Sequence, residues 1–408
     1  MKKTVKFVEP VFRFAAVSYL TSCLLLGNTN PPKDDDDNDD AVYDLTPFEI
    51  STGGGGYAPA STIAGTRLSS AQMGATAGGA QDINLARMEV LQGNIPRPDT
   101  FTPEGLFSEH DLPIQVEARP GQLLSIGGEA MRASILGVPR ARVLAQIGFA
   151  SGLDARTWQR QPLNLVAVVD KSGSMSGQPL ELVKQSLREV VQQLGENDQL
   201  SIVLYGDHAH VSMPPTILSK ENRKQVLSEI ASIVSNGSTA MEHGLQVGYQ
   251  VAEHSSRTFE GTTRLMLFTD EQPNVGNTAA SGFMGQMREG SKKGFGLTTI
   301  GVGVHFGAEL ANKISAVRGG NLFYFPDYMT MVNTFEEDFD TMVTELAYDM
   351  MVTIKPEHDW KIEAVYGIPA NMIKWLPDDS LRFRVETLFL SKRKGAIYFA
   401  LAPKRSES

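Results

Sequence analysis

The sequence predicts an α/β protein in which a doubly wound, mostly parallel sheet is flanked by a β-rich, sandwich-like domain. Between residues 162 and 347, short apolar runs alternate with amphipathic segments of helical period. Strands that alternate with helices form parallel sheets covered by helices on both faces. On both sides of this segment, apolar and polar residues alternate with a period of two, which is typical of half-buried strands.

Length and charge narrow the class of protein. A chain of 408 residues is long enough for two or three domains, and 41% hydrophobic with 21% charged residues is an ordinary globular composition. The net charge is −10, and the run Lys33–Asp40 carries six aspartates and one lysine, which is five of those ten charges. Because no basic footprint is visible, we expect no nucleic-acid partner.

Residues 1–22 have the layout of a lipoprotein signal peptide. Three lysines within the first six residues precede a mostly apolar stretch, and Leu20–Cys23 resembles the bacterial lipobox. Cys23, the only cysteine, is therefore the predicted lipidation site, and it cannot form a disulfide within the chain. A plain signal peptide or a buried cysteine is the alternative, because Glu9 and Arg13 interrupt the apolar stretch.

A lipid anchor on Cys23 implies a place in the bacterial cell envelope. Leu24 follows the cysteine, and not the aspartate that would retain a lipoprotein at the inner membrane. This favours the outer membrane, with the protein facing the periplasm or the cell surface. Residues 23–98 are predicted to be a disordered acidic and glycine-rich tether, because they offer little apolar surface to offset the entropy of ordering.

The flanks are predicted to be β-rich on both sides of the central segment. Residues 99–161 form the N-terminal flank and residues 348–408 the C-terminal flank, and the two together could make one flanking domain. Alternating patterns predict strands at Leu112–Ala118, Ala141–Phe149, Met351–Ile354, Trp360–Tyr366, Leu381–Val385 and Ala396–Leu401.

The central segment, residues 162–347, is predicted element by element from its apolar periodicity. The predicted strands are Leu163–Val169, Leu200–Tyr205, Val211–Met213, Arg264–Thr269, Leu297–Val304 and Asn321–Phe325. The predicted helices are Pro179–Leu194, Lys220–Ile233, Ala240–Glu253, Phe283–Lys293, Ala308–Val317 and Met331–Ala347. Gly319 stands where the fifth of these helices needs a residue of positive φ at its end.

Oxygen-bearing side chains follow two of the buried strands and precede one helix. Asp170, Ser172 and Ser174 come at the end of the first strand, Asp270 ends the fourth, and Thr239 precedes a helix. Ligands bind beyond the carboxyl ends of strands in open α/β sheets, and oxygen ligands suit a hard cation such as Mg²⁺. Helix capping and turn chemistry explain each residue singly, but the three pieces together predict a metal site.

These pieces resemble the metal-ion-dependent adhesion site of von Willebrand factor A domains, and with the lipobox they resemble bacterial lipoproteins of that family. The resemblance implies that Ser172, Ser174 and Thr239 bind the metal through their hydroxyls. It implies that Asp170 and Asp270 act largely through bridging waters. It also implies that an Asp or Glu carboxylate of a partner protein completes the coordination. Mg²⁺ is the expected ion, with Mn²⁺ and Ca²⁺ as alternatives.

Glu271 departs from the pattern, because many relatives have glycine after the last aspartate. As an accessory residue it could tighten ion binding or repel an acidic partner. The remaining interpretation, which we favour at this point, is that Glu271 points to solvent.

Two other classes of function remain open. A structural lipoprotein would use the metal only to stabilise its fold. A Mg²⁺-dependent hydrolase is the minor alternative, because Gly173–Gly177 misses the spacing of a nucleophile elbow by one residue and no histidine is placed by sequence to act as its base. We therefore expect a non-catalytic module for metal-dependent protein binding or adhesion.

Overall fold

A computed structural model describes most of the chain from residue 123 onward. The described residues are 14–15, 42–43, 72–77, 90, 93–96, 123–154, 158–274, 276–277, 279–302, 313–325, 328–357, 359–368, 370–391 and 395–404. Cys23 and the predicted strand Leu112–Ala118 lie outside these residues, as do residues 308–312 of the predicted helix Ala308–Val317. No helix of the described residues is long and apolar enough to cross a membrane.

The central segment forms a six-stranded sheet in the order β11-β10-β9-β6-β7-β8. All its pairs are parallel except β7 with β8, which is antiparallel. The strands are β6 (Leu163–Asp170), β7 (Gln199–Tyr205), β8 (Ala209–Ile217), β9 (Thr262–Thr269), β10 (Gly296–Val302) and β11 (Gly320–Phe325). The prediction of a doubly wound, mostly parallel sheet is confirmed.

Helices cover both faces of this sheet. They are α1 (Gln178–Gln193), α2 (Lys220–Ser232), α3 (Met241–Ser255), α4 (Phe283–Lys292) and α5 (Tyr328–Val343). Apolar side chains of α1, α2 and α5 join one hydrophobic cluster, and those of α3 and α4 join a second. The central strand β6 is buried along its whole length, and its alternate residues enter the two clusters. This explains why its sequence is a nearly continuous apolar run.

Two glycines of helix α3 lie against the sheet, where there is no room for a side chain. A Cβ atom at Gly244 would be 2.5 Å from the ring of Tyr205, and one at Gly248 would be 2.5 Å from Val168 Cγ2. The two glycines are one helical turn apart, so they present one bare face to β6 and β7. This close packing sets the position of the loop that precedes α3.

The flanking strands form a second, antiparallel sheet from both ends of the chain. Its strands are β3 (Gln72–Ala77), β4 (Ser125–Arg132), β5 (Val143–Asp154), β12 (Glu345–Ile354), β13 (Trp360–Tyr366), β14 (Ile373–Trp375), β15 (Leu381–Ser391) and β16 (Gly395–Pro403). Strand β3 joins one half, β12-β15-β14, to the other, β13-β16-β5-β4. Both halves contribute side chains to one hydrophobic cluster, and β5 pairs with β16, so the N-terminal and C-terminal flanks share one unit. A separate pair joins β1 (Phe14–Ala15) and β2 (Val42–Tyr43).

The structure contains strands that the sequence patterns did not predict. Val42–Tyr43 and Gln72–Ala77 form strands within residues 23–98, the segment predicted as a tether, and Ile373–Trp375 forms one in the C-terminal flank. Strand β4 was missed because its two glycines weaken the strand pattern. The last helix ends at Val343 rather than Ala347, because the chain from Glu345 onward pairs with β15.

A buried arginine connects the two sheets at the start of β9. Arg264 is 2% exposed and forms an ion pair with Glu345, the first residue of β12. Its Nε donates to Thr298 Oγ1 at 2.8 Å and its Nη2 to the carbonyl of Gly319 at 2.8 Å. The guanidinium also lies over the ring of Phe389, with 5.0 Å to the ring centroid. Burial lowers the pKa of Arg264, and the Glu345 carboxylate opposes that shift.

Replacing Arg264 with methionine should leave the Glu345 carboxylate half-buried without its partner. We expect the free energy of unfolding in urea to fall by about 3–5 kcal/mol, because breaking a buried pair exposes the desolvation cost of the remaining charge. Arg257→Met is the matched control, since Arg257 pairs with Glu253 at 3.6 Å on the surface. Equal losses in the two variants would contradict a structural role for the buried pair.

Candidate metal-binding site

The predicted site residues lie beyond the carboxyl ends of β6 and β9. Asp170 is the last residue of β6, and Asp270 directly follows β9. Strand β6 is also where the order of the sheet reverses, with β7 on one side and β9 on the other. A crevice opens at such a position because the connections leave the sheet in opposite directions.

Hydroxyl and carboxylate oxygens meet in this crevice. Ser172 and Ser174 lie on the turn that follows β6, and their Oγ atoms are 3.0 Å apart. Ser174 Oγ donates a hydrogen bond to Asp270 Oδ1 at 3.1 Å. From the loop before α3, Thr239 Oγ1 donates to Glu271 Oε1 at 3.0 Å. Side chains from three separate stretches of sequence are thus brought to one place.

Glu271 is exposed, and its carboxylate also contacts the site. The carboxylate accepts the hydrogen bond from the Thr239 hydroxyl. The backbone N–H of Glu271 donates to Thr269 Oγ1 at 3.0 Å, which fixes where this side chain starts. Both interpretations of Glu271 from the sequence, as an accessory residue and as a residue facing solvent, therefore stay open.

Asp170 is fully buried and its carboxylate is surrounded by donors. Oδ1 accepts from the backbone N–H of Ser172 at 2.9 Å. Oδ2 accepts from the Tyr205 hydroxyl at 3.0 Å and from Thr269 Oγ1 at 3.1 Å. Burial raises the pKa of Tyr205 well above its usual range, with the Asp170 charge adding to the shift, so Tyr205 remains a donor at neutral pH.

Tyr205 and Thr269 were missed by the sequence reasoning. Each occupies the last position of a buried strand, β7 or β9, and reads as one more core residue there. Their polar atoms gain a role only because the sheet places β7 and β9 on either side of β6. One signal was available in the sequence. Both residues carry a hydroxyl and end a strand, as Asp170 does.

Backbone hydrogen bonds hold the surrounding loops together. The N–H of Lys171 donates to the carbonyl of Tyr205 at 2.9 Å, and Asn236 N–H donates to the carbonyl of Lys171 at 2.6 Å. Gly173 N–H donates to the carbonyl of Gly237 at 2.9 Å. The loops after β6 and β7 and the loop before α3 therefore form one connected unit.

Asp207, which sequence reasoning also missed, closes the loop that carries Thr239. Its Oδ1 accepts from both the backbone N–H and the Oγ of Ser238, each at 2.8 Å. These hydrogen bonds, the one from the backbone most strongly, lower the pKa of Asp207. Gly237 has φ of +90°, and a Cβ there would be 2.7 Å from the Asp207 backbone nitrogen. Only glycine fits this position without a shift of the backbone.

The electrostatic environment favours a cation. Burial raises the pKa of Asp270, and the charges of Asp170 and Glu271 add to that shift, while the hydrogen bond from Ser174 opposes it. Three carboxylates therefore repel one another across the crevice. A bound cation would relieve this repulsion.

The oxygens of the crevice lie in hydrogen-bonded pairs, and pairs at this distance would also suit neighbouring ligands of a small divalent ion. In an octahedral Mg²⁺ site with bonds of about 2.1 Å, neighbouring ligand oxygens are about 3.0 Å apart. The contacts Ser172–Ser174, Ser174–Asp270 and Thr239–Glu271 measure 3.0, 3.1 and 3.0 Å. Within the described residues, no group of three or more His, Cys, Asp or Glu side chains is arranged to hold a metal ion. Any ion bound here would therefore depend on the hydroxyls.

Comparison with known proteins finds one matching family model and several relatives. Residues 164–337 match the family model of the von Willebrand factor type A domain. The chain is 28% identical over 206 residues to the uncharacterized protein sll0103 of Synechocystis sp., which covers 50% of this chain and 47% of that protein. It is 26% identical over 279 residues to the uncharacterized protein YfbK of Escherichia coli. This match covers 67% of this chain and 48% of YfbK. The chain spans about half the length of each of these two relatives.

One solved structure, the von Willebrand factor type A protein from Catenulispora acidiphila, is 14% identical to this chain. It has a TM-score of 0.46 and covers 71% of this chain and 67% of its own.

Gly237→Ala should distort the loop that carries Thr239. We expect a loss of about 1–3 kcal/mol in the free energy of unfolding from backbone strain, with a further loss from the contact with Asp207. Gly137→Ala is the control, since Gly137 has φ of +80° but nothing within 4 Å of an added Cβ. Urea unfolding of both variants measures the difference, and an equal loss would show that the contact with Asp207 does not matter.

Proposed function

Residues 164–337 form a von Willebrand factor type A domain, and on that premise we propose that this protein binds a partner protein through a divalent metal ion held in the crevice. Domains of this family typically act in protein–protein interaction or adhesion, and they often bind a divalent metal. The observation that carries the proposal is the set of hydroxyl and carboxylate contacts spaced at 3.0–3.1 Å beyond β6 and β9.

In this proposal Ser172, Ser174 and Thr239 bind the ion through their hydroxyls. Asp170 and Asp270 act on it indirectly, largely through bridging waters. The environment of Asp170 agrees with an indirect role, because both of its carboxylate oxygens already accept hydrogen bonds. Its contribution is to orient Ser172 and to supply negative charge without giving up those donors. Asp270, joined to Ser174, plays the corresponding part from β9.

A site built mainly from hydroxyls leaves much of the charge of the ion uncompensated. An incoming Asp or Glu carboxylate of a partner protein is then strongly attracted, and it would complete the coordination. Mg²⁺ is the ion we propose, because hydroxyl and carboxylate oxygens suit this hard cation. Mn²⁺ and Ca²⁺ are alternatives.

Binding, rather than catalysis, is the role we propose for the serines. A serine nucleophile needs a general base within hydrogen-bond reach. In the described part of the chain, the Ser172 and Ser174 hydroxyls are hydrogen-bonded to each other, Ser174 also donates to Asp270, and neither is hydrogen-bonded to a histidine. His243 instead accepts a hydrogen bond from the backbone of Ala209 through its Nδ1.

We further propose that the protein is a lipoprotein of the bacterial cell envelope, anchored through Cys23. Much of residues 23–98 would then act as a spacer between the anchor and the folded part. The acidic run Lys33–Asp40 supports this, because a self-repelling segment stays extended. The sorting residue Leu24 is consistent with the outer membrane.

Ser172→Ala/Ser174→Ala should remove the metal site. We expect calorimetric titration of the parent chain with Mg²⁺ or Mn²⁺ to show one saturable site, and the double variant to lose at least about tenfold in affinity, or 1.4 kcal/mol. Ser176→Ala is the control, since Ser176 is exposed on the same turn. Weak chelation by the acidic run is the same in all three proteins.

If the parent chain binds neither ion, the proposed metal site is wrong. If the ion binds, a pull-down from envelope extract in Mg²⁺ and in EDTA separates the two remaining readings. Capture of a defined partner only in Mg²⁺, and only by the parent, supports metal-dependent binding. A bound metal with no metal-dependent partner would instead favour a purely stabilising ion.

A further inference from the structure

Asp270 and Glu271 are adjacent in sequence, but their side chains are held differently. The Asp270 side chain is partly buried and bonded to Ser174. The Glu271 side chain is exposed and longer by one methylene, and among the described residues its carboxylate accepts one hydrogen bond, from Thr239 Oγ1. One carboxylate is therefore fixed in the crevice, and the other can leave it at little cost.

The Glu271 carboxylate faces the hydroxyl of Thr239, which we propose as a metal ligand. Its Oε1 lies 3.0 Å from Thr239 Oγ1, a distance at which both oxygens could bind one small divalent ion. On the serine side, Asp270 Oδ1 lies 3.1 Å from Ser174 Oγ. Glu271 is therefore placed relative to Thr239 as Asp270 is placed relative to Ser174.

A backbone hydrogen bond of Glu271 fixes where its side chain begins. Its N–H is bonded to Thr269 Oγ1, and that hydroxyl in turn donates to the buried Asp170 carboxylate. The start of the Glu271 side chain is therefore tied, through Thr269, to the fully buried carboxylate of the site. Its outer atoms are exposed to solvent.

We infer that Glu271 is a built-in ligand that occupies the coordination position of the partner's carboxylate, so that a partner must displace it to bind. This inference rests on the proposed function. It assigns Glu271 two opposite effects: its charge tightens the hold on the ion, and its presence weakens the binding of an external carboxylate. A site with glycine at this position would lack both effects.

Two variants of Glu271 test the inference in the full chain. Glu271→Gly removes the side chain, and Glu271→Gln keeps its length and its contact with Thr239 but not its charge. Glu242→Gln is the matched control, because it removes one negative charge from the first turn of α3, close to Thr239 in sequence. Mn²⁺ is the probe, since water-proton relaxation reports how many waters are bound to the ion.

We expect Glu271→Gly to bind Mn²⁺ about tenfold or more weakly than the parent, with one additional water on the bound ion. Acetate added at saturating Mn²⁺ should displace water from the ion at lower concentration in Glu271→Gly than in the parent. Glu271→Gln should also lose affinity, because a neutral amide is a weaker ligand, whereas Glu242→Gln should resemble the parent in water number.

An unchanged water number and affinity in Glu271→Gly would overturn the inference. The proposed function would survive that result if Ser172→Ala/Ser174→Ala still abolished Mn²⁺ binding. A parent chain that fails to bind Mn²⁺ would overturn both. Thermal unfolding of each variant confirms that the comparison is made between folded proteins.

Discussion

The buried carboxylate of Asp170 is the constraint around which the crevice is organised. A fully buried charge is costly unless donors surround it, and Ser172 N–H, Tyr205 and Thr269 meet that need. These donors come from the turn after β6 and from the ends of β7 and β9. The hydrogen bonds to this one carboxylate therefore fix the relative positions of the ends of β6, β7 and β9. The positions of the other hydroxyls and carboxylates of the site follow from those strand ends.

The same strands separate the site from the flanking sheet. Arg264, which joins β9 to β12, lies six residues before Asp270 on a strand that rises about 3.3 Å per residue. The two features are thus about 20 Å apart, at opposite ends of β9. The flank can hold the domain by one end of its sheet and leave the crevice at the other end open to a partner.

Much of this arrangement is visible in the sequence because it follows from local pattern. Continuous apolar runs predict β6 and β9, and their polar endings predict where Asp170 and Asp270 lie. What depends on pairing between distant segments was not visible. Gln72–Ala77 has no apolar pattern and becomes a strand only because β5 and β15 offer it backbone partners. The direction of the Glu271 side chain likewise depends on Thr239, which is 32 residues away.

Burial decides how the acidic residues of the crevice differ in role. Asp170 has no exposed surface and both of its carboxylate oxygens accept hydrogen bonds, which agrees with the indirect role proposed for it. Asp270 is partly buried, and burial raises its pKa, with the charges of Asp170 and Glu271 adding to that shift. Glu271 is exposed, so water can replace its contact with Thr239 at low cost. Of the three carboxylates, the outermost is therefore the one whose position a partner can change.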